Sequence, residues 1–131
     1  LIVDSQVHIW QKPGLGPHHR QSPAFTADDL LREMDEAGVS AAVICPPFSM
    51  EDVNQMASEA AARHPDRLAV MGFFQIDKPE SREVIKTWAQ RPGMKGLRWV
   101  LNQPHHQAWW TDGTMEWVWA EADGKMATTI R

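Results

Sequence analysis

Three polar side chains with chemistry to offer stand two residues apart near the start of the chain: Asp4, Gln6 and His8, in the run Leu1-Ile2-Val3-Asp4-Ser5-Gln6-Val7-His8-Ile9-Trp10. A carboxylate, an amide and an imidazole can transfer protons, orient water or polarise a carbonyl, provided one surface collects them. An extended chain does this, because side chains two apart point the same way. The three groups then line roughly 13 Å of one strand face. Buried without partners, each would cost on the order of 1–3 kcal/mol, which a strand kept only for packing has no reason to carry. A single histidine on such a strand would more often be a hydrogen-bonded filler of the core.

A second group with clear chemistry is Arg98, in Gly96-Leu97-Arg98-Trp99. Its planar guanidinium binds a carboxylate through two charge-assisted hydrogen bonds, so Arg98 is a candidate substrate anchor, against the commoner outcome of pairing with a loop acid. Trp10 is a candidate pocket wall beside it. The adjacent histidines His18 and His19 lie in a loop with three prolines, where solvation or substrate contact is a better reading than metal ligation. Cys45 has no legible base nearby and reads as a packed thiol.

The elements that must position these groups alternate regularly. The opening run is a buried strand. Thr26, followed by Asp28 and Asp29, starts a helix carrying Leu30, Leu31, Met34 and Ala37 at helical spacing, and Gly38 stops it. Residues 41–45 form a near-continuous apolar strand closed by Pro46-Pro47, as in a parallel sheet covered on both faces. A helix over 50–64 follows, then a strand over 68–77 and a helix with Val84, Ile85 and Trp88 facing inward. A strand over 94–100, a long loop over 102–113, a helix over 115–123 with Trp117, Val118 and Ala120 inward, and a strand over 126–130 complete the pattern. Four β-α repeats and a fifth strand select an α/β parallel architecture.

Composition narrows the partners. A net charge of −4 offers no basic footprint for nucleic acid or an anionic membrane, and no apolar run approaches the roughly 20 residues that span a bilayer. A small-molecule substrate is the expected partner. A single cysteine forms no internal disulfide, which favours a cytoplasmic location. Seven tryptophans leave room for an apolar interface and hence a homo-oligomer.

Asp-Ser-Gln-Val-His-Ile-Trp, Thr-Ala-Asp-Asp-Leu-Leu-Arg-Glu-Met-Asp, His-Pro-Asp-Arg-Leu-Ala-Val-Met-Gly and Gly-Met-Lys-Gly-Leu-Arg, in this order, resemble the amidohydrolase-related family, the second group of amidohydrolases. The resemblance implies a (β/α)8 TIM barrel of about 250 residues, of which residues 1–131 would be the N-terminal half: four βα units and a fifth strand. It further implies a hydrolase acting on a small lactone, amide or carboxylated substrate by carbonyl polarisation and water attack. His8 matches the second histidine of the family's His-x-His pair and is its candidate metal ligand. Gln6 stands where the first would be, so a divalent metal such as zinc is implied either weakly or not at all. The resemblance puts a further histidine and the activating aspartate on later strands, beyond Arg131, and the 131 residues alone would have little or no activity. His8 and Gln6 are then the catalytic candidates, and Arg98 and Trp10 the substrate-binding ones.

Two other accounts fit the same alternation. One is a complete doubly wound α/β binding module, with Asp77 where a receiver domain carries its phosphoacceptor, although Gln6-Val7-His8 stands in place of the acidic pair such a domain needs. The other is a catalytically dead barrel remnant that lost its metal site with the first histidine.

Overall fold

The computed structural model describes residues 1–12, 17, 21–47, 53–123 and 127–130, the last four as backbone. His18 and His19 lie outside the described residues, as do Met50 and Met126, which the sequence puts at the start of a helix and a strand. The elements are β1 (Val3–Val7), α1 (Ala27–Ala37), β2 (Ala41–Ile44), α2 (Val53–Arg63), β3 (Leu68–Phe73), α3 (Ser81–Trp88), β4 (Met94–Trp99), α4 (Glu116–Ala122) and β5 (Ala127–Ile130).

All four strand pairings are parallel, and the sheet order is β1-β2-β3-β4-β5. Every βα unit therefore steps one strand further in the same direction. A doubly wound sheet must reverse direction at a switch point, so the doubly wound module expected as an alternative is excluded. Asp77 also lies beyond the end of β3, which closes at Phe73 rather than continuing to 77, and its side chain is exposed.

Local chemistry sets the helix ends. Thr26 caps α1 in a reciprocal box: its hydroxyl accepts from the Asp29 N–H, and the Asp29 carboxylate accepts from the Thr26 N–H at 3.0 Å. Gly38 closes the helix in the left-handed region at φ 71°. The buried stripe of α1 is Ala27, Leu30 and Met34, whereas Ala37 is exposed. On α4 the buried residues are Val118 and Ala122, following Met115 at its N-cap; Trp117 is half-buried and Ala120 is exposed. The i, i+3, i+7 spacing of 115, 118 and 122 turns Ala120 away from the core. The segment expected as a loop over 102–113 contains a 3-10 helix, Pro104–Trp110, started by Pro104 at its first turn.

The core lies between the helices and one side of the sheet. Ala42 and Ile44 of β2, Leu68 and Val70 of β3, and Leu97 and Trp99 of β4 pack in one cluster with Leu30 and Met34 of α1, Ala57, Ala60 and Ala61 of α2, Ile85 and Trp88 of α3, and Val118 of α4. Alternation then gives the other side of β4 to Gly96 and Arg98.

β1 departs from the expected buried strand in two ways. Among the described residues it is an edge of the sheet, paired with β2, and Leu1, Ile2 and Val3 are exposed. Its register also slips: Asp4 pairs with Ala42 and Val7 with Ile44, three residues against two. The Gln6 N–H bonds the Asp4 carboxylate at 3.0 Å within this irregularity. The extra residue interrupts strict two-residue alternation somewhere between Asp4 and Val7.

Candidate active site

The C-terminal ends of parallel strands are where loops can converge over a substrate, and two of the groups singled out from sequence meet at the end of β2. The His8 Nδ1–H donates to the Cys45 carbonyl at 2.5 Å. The Arg98 Nη1–H donates to the next carbonyl, that of Pro46, at 3.2 Å. Backbone ladders fix the strands beneath them: Cys45 N–H to Val7 O ties β2 to β1, and Phe74 N–H to Arg98 O ties β3 to β4, each at 2.8 Å. An imidazole just past β1 and a guanidinium from β4 are thus fastened to the two residues that follow β2, the strand lying between them in sequence and in the sheet.

Donation from Nδ1 makes Nε2 the unprotonated nitrogen of the neutral His8 ring. There it can accept a proton or ligate a metal, and as imidazolium it can donate to a carbonyl oxygen. Arg98 is 4% exposed and is the buried cation of the described core. Its planar guanidinium is of the type that binds a carboxylate through paired hydrogen bonds. Gln6 lies on β1 with its side chain exposed.

Trp10, the candidate pocket wall, stands where the β1–α1 connection begins. It is 5% exposed, its indole N–H donates to Ser22 O at 3.0 Å, and its ring packs on Phe25 at 5.3 Å. Trp10 and Phe25 also exchange two backbone hydrogen bonds of 2.8 Å, so this residue fastens the start of the β1–α1 connection to its end. Cys45 is buried, as expected of a packed thiol. The exposed His105 and the half-buried His106 and Trp109 form a ring cluster on the 3-10 helix, with centroids 4.2, 4.4 and 5.8 Å apart, and the His106 Nδ1 accepts from the Gln103 N–H.

A positioning residue that the sequence reading passed over is Asn54, in the first turn of α2. Its amide grips the backbone of Phe73, donating to the carbonyl at 2.7 Å and accepting from the N–H at 2.8 Å. Phe73 pairs with Arg98 in register, so α2 holds the end of β3 against the strand that carries the guanidinium. The one available signal was an amide beside the apolar Val53 in an otherwise alanine-rich helix, and amides at such positions are usually solvated.

Among the described residues no three His, Cys, Asp or Glu side chains come together as a metal-ligand group. Catalytic zinc takes three protein ligands, and a glutamine amide is a poor substitute for imidazole. The described part of this chain therefore offers His8 as a single ligand, which does not amount to a metal site.

No curated protein matches this chain. Among solved structures, a probable 2-pyrone-4,6-dicarboxylic acid hydrolase from Acinetobacter baumannii with citric acid bound is similar at a TM-score of 0.62 and 19% identity, over 98% of this chain and 48% of that one. An amidohydrolase from Burkholderia multivorans with bound zinc is similar at a TM-score of 0.72 and 20% identity, over 92% of this chain and 46% of that one. The chain thus spans about half the length of these structures. Its sheet is four βα units and a fifth strand of a TIM barrel, the fold expected from the sequence, and no helix among the described residues is long and apolar enough to cross a membrane. The amidohydrolase family profile matches residues 3–125, nearly the whole length, and the chain belongs to that family.

Proposed function

We propose that the protein is a hydrolase that opens a small carboxylated lactone or amide, with the substrate's carboxylate on Arg98 and its scissile carbonyl facing Nε2 of His8. The observation that carries this reading is the attachment of both side chains to the successive carbonyls of Cys45 and Pro46 at one strand end. Arg98 supplies binding and orientation. The His8 imidazolium donates from Nε2 to the carbonyl oxygen, while its Nδ1–H stays on Cys45 O; this stabilises the negative charge that develops as water attacks. Gln6, next on the same strand face, is a neighbouring contact for substrate or water. The base that activates water is a carboxylate contributed by barrel strands other than these five, so residues 1–131 alone turn over little or nothing. If a divalent cation is held, Nε2 of His8 is the ligand this part of the barrel contributes. The citric acid bound to the Acinetobacter relative and the dicarboxylic acid in its name support a carboxylated substrate.

The test is hydrolysis of 2-pyrone-4,6-dicarboxylate, and of the same ring without carboxylates, by these residues within a closed barrel. The expected result is turnover of the carboxylated ring, a loss of about 10²–10⁴-fold in kcat for His8→Ala, and a raised KM for Arg98→Met confined to the carboxylated ring. Turnover unaffected by His8→Ala overturns the assignment. A second reading, a barrel relative that binds carboxylates without hydrolysing them, is favoured by Gln6 at the first-histidine position. Arg98-dependent binding with no turnover would establish it.

A further inference from the structure

The two carbonyls that hold His8 and Arg98 belong to Cys45-Pro46-Pro47, and this sequence restricts the torsions that aim them. The direction of a carbonyl is set by ψ of its own residue. A proline disfavours the helical region for the residue before it, so Pro46 restricts ψ of Cys45 and Pro47 restricts ψ of Pro46. The pyrrolidine rings also fix φ at both prolines. All three residues are buried, Pro46 among the most completely buried side chains of the molecule. We propose that Pro46 and Pro47 are positioning residues: a rigid backbone clamp at the end of β2 that selects the Nδ1–H tautomer of His8 and fixes the guanidinium of Arg98, before any ligand arrives. The clamp deepens the proposed function by explaining how groups from β1 and β4 keep a constant relation. Its test needs no turnover, so the clamp and the hydrolase reading fail separately.

The experiment is NMR of the isotope-labelled chain without ligand. In the unsubstituted protein, the ring 15N shifts of His8 show the proton on Nδ1. A proton on Nε2 overturns the proposal outright, and this arm requires no variant to fold.

Proton exchange with water then reads how often each bond opens. Releasing one proline restraint raises the open population about two- to fivefold. In P47A the Arg98 Nη–H exchange rises by that factor with the His8 Nδ1–H unmoved; in P46A the rise at His8 exceeds that at Arg98. C45A, which removes the thiol and keeps the carbonyl, leaves both rates unchanged. Equal loosening of both groups in P47A, or no change in either variant, refutes the clamp and leaves the prolines as ordinary chain stops.

Discussion

Gly38 and Gly93 share one backbone torsion, φ 71°, and differ in what surrounds them. A Cβ at Gly38 would meet nothing within 4 Å, whereas a Cβ at Gly93 would sit 2.2 Å from Cβ of Ala61 on α2. That obstacle is a methyl fixed to a helix, so it cannot swing aside. The left-handed torsion alone costs a side-chain-bearing residue about 1–2 kcal/mol, and overpacking adds about 1–3 kcal/mol. Gly38→Ala should therefore lose about 1–2 kcal/mol, and Gly93→Ala about 2–5 kcal/mol. Adding Ala61→Gly to Gly93→Ala removes the overlap but not the torsion. It should recover most of the packing penalty, less about 0.5–1 kcal/mol for a glycine inside a helix. Urea unfolding followed by fluorescence of the seven tryptophans measures all four proteins. Equal losses for Gly38→Ala and Gly93→Ala, or no recovery in the double variant, would refute the reasoning. The site shares in the outcome, because Gly93 O accepts the Val70 N–H at 2.9 Å where β4 begins its pairing with β3.

Other consequences can be checked with the same chain. Thr26→Ala breaks the capping box of α1 and should cost about 1 kcal/mol in urea unfolding. The Asp29 carboxyl is held down to about 2 from 3.8, first by the Thr26 N–H and then by Arg32. A depressed folded value means its contribution is present above 3.8 and is lost as pH falls toward 2, so an acid titration of stability should steepen across that window and flatten there in Asp29→Asn. Asn54→Ala removes both bonds to Phe73 and should cost about 1–3 kcal/mol. It should also raise amide exchange at the end of β3 more than at β1.

The β-α alternation was legible because helices and strands differ in period, and because Thr26, Gly38 and the Pro46-Pro47 pair mark boundaries by local chemistry. His8 and Arg98 were legible as reactive types at strand ends. Their common anchor was not: Cys45 O and Pro46 O are backbone atoms, and no side-chain pattern announces which carbonyl a distant ring will find. The irregularity of β1 was not legible, since one extra residue between Asp4 and Val7 leaves no mark in composition. The antiparallel bridge of Trp10 to Phe25 was not legible either, because it needs a chain reversal whose geometry lies in three dimensions. Asn54 was hidden for the same reason, as its partner is the backbone of Phe73, one element away.

The pairing of His8 with Arg98 as one carboxylate and carbonyl site is tested most directly by titrating the labelled chain with 2-pyrone-4,6-dicarboxylate. The expected result is chemical-shift changes at the Arg98 guanidinium and the His8 ring with a common saturation curve, and loss of the His8 response in a folded Arg98→Met variant. Saturable shifts elsewhere on the chain, or a His8 response that survives Arg98→Met, would contradict it.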